Sequence, residues 1–296
     1  MKVVLSRKGF DSQYGGIPSP IFPDGKILPL PIPSDRDSFR LGDLYAPNIE
    51  VGKVVADLSR GRISAKDRVH LDPDLSRSNI DSANGWRPSF GQCGSALRHL
   101  QKSGVGAGDV FLFFGWFKQV ECKNGCWAYS RGAQDIHLIF GWLEVVEFVD
   151  LTTSCADFLY REPWAADHPH VAADRYNQVR GGNGLYIGAK SSGLTRKAQH
   201  GGGRFMSYHS SLRLTDCLAT NRSLWSLPEW FHPPRSRKPP QLSYHMNIDR
   251  WSRRSGRALV QTVAKGQEFV FCSTVYPDAR DWLGDLVRGN TVVPAA

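Results

Sequence analysis

No apolar run in this 296-residue chain approaches the roughly 20 residues that a membrane-spanning helix needs. The longest, VFLFFGWF and IHLIFGWLEVVEFV, are short or interrupted, and MKVVLSRKGF carries too brief an apolar stretch before Ser6 and Arg7 for a signal peptide. A cytoplasmic setting is expected, with no membrane contact and no obligate protein partner evident. Nucleotide-cofactor fingerprints are missing as well. The glycine-bearing opening loop has neither GxGxxG nor GxxxxGK[ST], which argues against a Rossmann or P-loop site and leaves no cofactor expected. A cysteine framework is also lacking: positions 93, 122, 126, 155, 217 and 272 are scattered, as suits reduced thiols. Cys122 and Cys126 in CKNGC offer half a zinc site, but no second close pair follows and the segment reads as a hairpin turn, so no metal is expected. Acidic charge is in short supply, with 28 Asp and Glu against 37 Lys and Arg. The formal charge of +9 favours an anionic partner such as nucleic acid.

What is present suits a single domain over residues 1–296. A hydrophobic fraction of 41% supports a sizeable core, and interleaved strand and helix patterns give an α/β (or α+β) class, a mixed sheet with long functional loops. VVL (3–5) reads as a buried first strand, and KILPLP (26–31) as a short edge strand. Residues 41–60 carry a partly helical pattern broken by Pro47, and VHLDPD (69–74) reads as a strand ending in two carboxylates. SFGQCGSALRHLQKSG (89–104) predicts a helix capped by Ser89 and ended by Gly104. DVFLFFGWF (109–117) and IHLIFGWLEVVEFV (136–149) share FGW and predict paired, buried strands. NGLYIGA (183–189) and GQEFVFC (266–272) predict further strands, SLWSLPEWF (223–231) and DARDWLGDLV (278–287) short helices. Basic loop insertions are expected near 188–204 and 232–257.

The opening loop, SRKGFDSQYGGIPSPIFPDGKILPLPIPS from residue 6, is where function is expected, because structureless connections of that length are uncommon in compact domains. Asp11 and Asp24 on it, Asp72 and Asp74 at a strand end, and Glu268 supply five carboxylates that can activate water or stabilise an oxocarbenium-like centre if they converge. His168 and His170 flank Pro169. With no third ligand of clear spacing they read as base or phosphate contacts rather than metal ligands. The basic residues Arg196, Lys197, Arg235, Arg237, Lys238, Arg253 and Arg254 lie near Trp230, Phe231, Tyr244 and Trp251, the interleaving of cations and aromatic faces that single-stranded nucleic acid uses.

Those same segments carry a resemblance. The opening loop, HLDPD, GQCGSALRHL, HPH followed by NGLYIGA, and KGQEFV together resemble the third type of nucleotide-modification-associated domain, a bacterial and phage family. The resemblance implies an association with modified bases in DNA, and its matching positions are Ser6, Arg7, Lys8, Asp11, Ser12, Gly15, Asp72, His168, His170, Gln267 and Glu268. The reaction itself follows from the chemistry. Installing a modification needs a donor site that the sequence does not display, whereas removal needs water, a positioned carboxylate and a basic groove. The expectation is a DNA glycosylase that flips a hydroxymethylated or glucosylated base and leaves an abasic site, in anti-phage defence. Asp11 is its first catalytic candidate, with Glu268 or Asp72 as the second carboxylate. Ser6, Arg7, Lys8, Ser12, Tyr14, Gly15, Gly16, Asp74, His168, His170 and Gln267 would bind the base or phosphate. A base-modifying transferase, a non-catalytic reader and a Mg²⁺-dependent nuclease stand as alternatives.

Overall fold

The longest apolar segments pair at the centre of a nine-stranded mixed sheet in the computed structural model, which describes residues 1–44, 46–75, 85–172, 176, 178–194, 201–233, 242–264 and 266–290. Strands β1 (Lys2–Arg7), β2 (Ser19–Ile21), β3 (Ser89–Cys93), β4 (Val110–Lys123), β5 (Cys126–Tyr129), β6 (Ile136–Asp150), β7 (Asn183–Gly188), β8 (Gly202–Arg204) and β12 (Glu268–Cys272) build it, in the order β12-β1-β4-β6-β7-β3, with β2 and β5 on β4 and β8 on β6. β1 runs parallel to β4 and antiparallel to β12, with Ser6 opposite Glu268. The two FGW segments pair as expected, Phe113 opposite Gly141, with the register shifting at Phe113/Phe114. A smaller sheet orders β10 (Trp251–Arg254), β11 (Arg257–Gln261) and β9 (Leu224–Pro228). Helices α1 (Val51–Ser59), α2 (Gly94–Lys102), α3 (Leu151–Arg161), α4 (Pro169–Ala172) and α5 (Ala279–Arg288) complete the described α/β domain. None of its helices is long and apolar enough to cross a membrane.

Five expectations change. KILPLP forms only isolated bridges, Ile27 to Ile21 and Lys26 to Ser207, and the strand of that loop is β2 instead. VHLDPD is likewise irregular, bridging Val69 to Pro33 and Asp74 to Ser89. The helix expected from Ser89 splits: residues 89–93 pair with β7, and α2 begins only at Gly94, whose φ of 63° makes the turn. SLWSLPEWF is a strand followed by a 3-10 turn at Glu229–Phe231, its alternate burial of Trp225 and Leu227 being strand periodicity. Within the expected 232–257 loop, residues 251–254 instead form β10 of a hairpin.

The opening loop is not draped over the surface. Phe10, Ile17, Phe22, Leu28 and Leu30 pack with Val51, Val54, Val55 and Leu58 of α1 into a second apolar cluster. Burial of this kind stabilises by about 1.5–3 kcal/mol per large side chain, enough to hold an irregular backbone in one shape. The loop's polar residues are thereby fixed against the end of β1. Gly115 allows the close approach: a Cβ there would sit 2.9 Å from the Lys8 carbonyl oxygen.

Candidate active site

β1 delivers Ser6, Arg7 and Lys8 to the sheet edge where β12 begins. Lys8 N–H donates to Phe114 O (2.8 Å) and Arg7 N–H to Gln267 O (2.8 Å), so the strand keeps its ladder while the chain turns into the loop. Two cavities open there. One, of about 190 Å³, is lined by Arg7, Lys8, Asp11, Gln92, Gln267 and a group comprising His70, Asp72 and His170. The other, of about 250 Å³, is lined by Arg7, Asp11, Ser12, His137, Arg222 and Trp225, among others. Arg7 and Asp11 belong to both.

Asp11 is partly exposed. Its Oδ1 accepts from the Gln13 and Tyr14 amides (2.7 and 2.8 Å), so the carboxylate organises its own turn while facing the cavities. Gly15 and Gly16 continue that turn with φ of 78° and 67°; at Gly15 a Cβ would strike the Phe10 ring at 2.3 Å. Tyr14 is half exposed on the smaller cavity. Ser12 Oγ accepts from Arg222 (2.6 Å), whose guanidinium lies 4.2 Å from the Trp116 ring centroid. Arg7 donates to the carbonyls of Gly266 (2.8 Å) and Ala264 (3.2 Å), and burial lowers its pKa despite the opposing pull of Asp11 and Glu268.

Glu268 lies behind the cavity rather than on it. At 1% exposure its Oε1 accepts from Lys8 Nζ (2.9 Å) and Gln92 Nε2 (2.6 Å), which themselves line the cavity, while Oε2 has no hydrogen-bond partner among the described residues. Lys8 Nζ also sits 4.3 Å from the Phe90 ring centroid. Ser6 is fully buried beside this pair, its Oγ likewise without a hydrogen-bond partner among the described residues.

Asp72 is the best-enclosed carboxylate of the cavity. Its Oδ1 accepts from Gly91 N–H (2.7 Å) and lies 3.4 Å from His168 Nε2; its Oδ2 lies 3.9 Å from the Nε2 atoms of both His70 and His170. Burial raises its pKa, yet His168, His170 and His70 together outweigh that and hold the carboxyl at about 2. Burial pushes His170 down to about 3, so its ring is neutral near pH 7. Gly91 makes room for that ring, because a Cβ there would sit 2.2 Å from its Cδ2. His70, Asp72 and His170 each present one donor atom within 4.8 Å of the others. The sequence set a metal aside for want of a third ligand. The fold overturns that reason, because Asp72 and His70, about a hundred positions away in the chain, stand beside His170. His170 thus joins His70 and Asp72, whereas His168 backs the carboxylate from behind.

Other candidates disperse. Asp74 accepts from Trp86 Nε1 (3.0 Å), and Asp24 pairs with Lys26 (2.7 Å) in an exposed turn. Phe231 and Trp251 are buried, and the partly buried Trp230 stacks on Phe231; Tyr244 remains exposed. Arg253 approaches Glu229 at 3.9 Å, and Arg254 pairs with Asp216. Arg196, Lys197, Arg235, Arg237 and Lys238 lie outside the described residues. Cys122 and Cys126 face solvent on the β4–β5 hairpin, no further potential ligand joining them among the described residues. His70, His137 and Arg222 had not been singled out in the sequence; the HxD spacing of His70 and Asp72 was the only local signal.

The sequence model described as nucleotide modification associated domain 3 matches residues 2–272. The chain belongs to that family. A search of curated proteins and a search of solved structures each found no match. The match covers both cavities, from β1 through β12, so the association with nucleotide modification applies to the part of the chain that builds the site.

Proposed function

We propose that this nucleotide modification associated domain is a DNA glycosylase for a modified base, of the hydroxymethylated or glucosylated kind. The observation that carries the reading is the pair of adjoining cavities sharing Arg7 and Asp11. The larger offers Arg7 and Arg222 to a phosphate, the smaller offers Lys8, Gln92 and Gln267 to the polar edge of a flipped base, and the shared carboxylate lies between them, where a sugar would sit. Water adds to C1′ as the C1′–N bond breaks, and the base leaves with a proton. Asp11 stabilises the positive charge developing on the sugar. Polar groups tuned to a substituent would be left unpaired by an ordinary base, a discrimination worth about 10⁴-fold or more in favourable cases. Such selectivity fits defence against phages with modified genomes.

The test is incubation of the protein with plain, hydroxymethylated and glucosylated DNA, then alkali cleavage and mass spectrometry of released molecules. Freed modified base with alkali-labile strands, lost in Asp11→Asn, which keeps the turn-forming Oδ1, is the expected result. Intact DNA overturns it. A donor-dependent mass gain on DNA would instead favour a base-modifying enzyme, the second reading that the family description supports.

A further inference from the structure

We propose that Nε2 of His70, Oδ2 of Asp72 and Nε2 of His170 bind one divalent first-row transition-metal ion at the wall of the smaller cavity. The inference goes beyond the glycosylase reading and stands without it.

The hydrogen-bond network fixes which ring nitrogens carry protons. His170 Nδ1 lies 2.7 Å from Asn183 Oδ1, and the Asn183 amide nitrogen donates to the His170 carbonyl (2.8 Å). The asparagine oxygen therefore accepts, His170 Nδ1 donates, and in the neutral ring Nε2 bears a lone pair. His70 Nδ1 faces the Asp37 carboxylate at 3.1 Å and the Tyr176 hydroxyl at 3.2 Å; donation to the carboxylate puts a proton on Nδ1 and, in the neutral ring, leaves the lone pair on Nε2. Asp72 Oδ1 is occupied by the Gly91 amide, so Oδ2 is the oxygen turned toward both rings.

Two imidazole nitrogens and one carboxylate oxygen thus converge. At 3.9 Å neither ring hydrogen-bonds Oδ2 directly, and a cation in the midst of the buried cluster would be held by all three atoms. A point equidistant from atoms spaced 3.9, 3.9 and at most 4.8 Å lies about 2.5 Å from each, so shifts of a few tenths of an ångström reach the metal–ligand distances of about 2.0–2.2 Å. Two imidazoles and one carboxylate on one side of an ion suit iron, manganese, cobalt or zinc rather than magnesium or calcium, and leave positions open. The open side faces the cavity that Arg7, Lys8 and Gln92 share. Asp37, Asn183, Gly91 and His168 form the outer partners that orient ligands in known metal centres.

The experiment uses full-length protein stripped with chelator and titrated separately with Zn²⁺, Mn²⁺ and anaerobic Fe²⁺, without DNA. One equivalent bound is expected, with Asp72→Asn and His170→Gln weakening affinity by more than about 100-fold, beyond the 10–100-fold typical of a lost outer partner. Cys122→Ser/Cys126→Ser is expected to bind unchanged. X-ray absorption on the zinc-loaded wild type, which needs no variant to fold, is expected to give two imidazoles and at least one oxygen. No stoichiometric binding by the wild type, or a sulfur shell, overturns the proposal. Metal bound without base release sinks the glycosylase reading alone; base released by protein that binds no metal sinks this one alone.

Discussion

Lys8→Met separates structural from chemical roles at the edge of the smaller cavity. The substitution keeps most of the aliphatic stem and removes the cation that lies 2.9 Å from Glu268 Oε1 and 4.3 Å from the Phe90 ring centroid. At an effective dielectric of about 20, two unit charges at that distance attract by about 6 kcal/mol, a ceiling from which the desolvation of both groups must be subtracted. Breaking a buried pair from one side leaves the other charge uncompensated and costs about 3–5 kcal/mol. Glu268 is 1% exposed, so Lys8→Met belongs at the upper end. Lys8, 11% exposed, can reach toward the cavity, so Glu268→Gln costs less, about 2 kcal/mol. The double variant retains an amide oxygen for Gln92 and no charge, and costs about 2–3 kcal/mol in all. Urea unfolding followed by circular dichroism at pH 7 gives the three values, and a coupling of at least about 2 kcal/mol is expected. Additivity within about 0.5 kcal/mol would refute the reasoning. It would return Glu268 to the list of groups acting directly on substrate.

Acid pH tests the larger cavity. His137 Nδ1 accepts from Trp225 Nε1 (2.9 Å), and burial, with Arg222 and Arg7 adding to it, pushes the ring down to about 3 from about 6.5. The neutral ring's stabilisation is complete above pH 6.5 and is lost as pH falls toward 3, by about 2 kcal/mol at pH 5. Unfolding of the wild type should steepen over that range, and His137→Asn, less stable overall, should flatten it; equal slopes would contradict the burial argument. Arg222→Ala is expected to weaken DNA binding about tenfold and to lower its salt slope by about one, because one phosphate contact goes. Arg254→Ala, whose guanidinium is already paired with Asp216, should leave the slope unchanged; the reverse order would move the phosphate contact to the β10–β11 hairpin.

Buried strands were the most legible part of the chain. VFLFFGWF and IHLIFGWLEVVEFV are apolar on both faces, a pattern that central strands produce and that local periodicity records. Segments whose structure depends on distant partners were misread. SFGQC resembles a helix start until the His170 ring, far along the chain, is placed against Gly91, and SLWSLP becomes a strand because β11 pairs with it. The site was half legible. Arg7, Lys8 and Asp11 stood out because they ride on an unusual loop. His70 did not, since its role depends on a meeting with His170 that no spacing encodes. Carboxylates looked equivalent in the sequence. Burial sorts them, with Glu268 behind the wall, Asp72 in it and Asp24 in solvent.

Arg7 lines both cavities, and this gives the protein a single guanidinium with two possible allegiances. Its present anchors are the main-chain carbonyls of Ala264, on the wall of the larger cavity, and of Gly266, in the segment leading into β12. On the proposed reading, an anion settling on one side would recruit this side chain and change what the other side offers. Occupancy of the two chambers would then be thermodynamically linked, and the factor by which filling the first alters affinity in the second would equal the factor in the opposite direction. On the proposed reading, a two-part ligand, with phosphate in one chamber and base in the other, would be read as a conjunction rather than as two separate contacts.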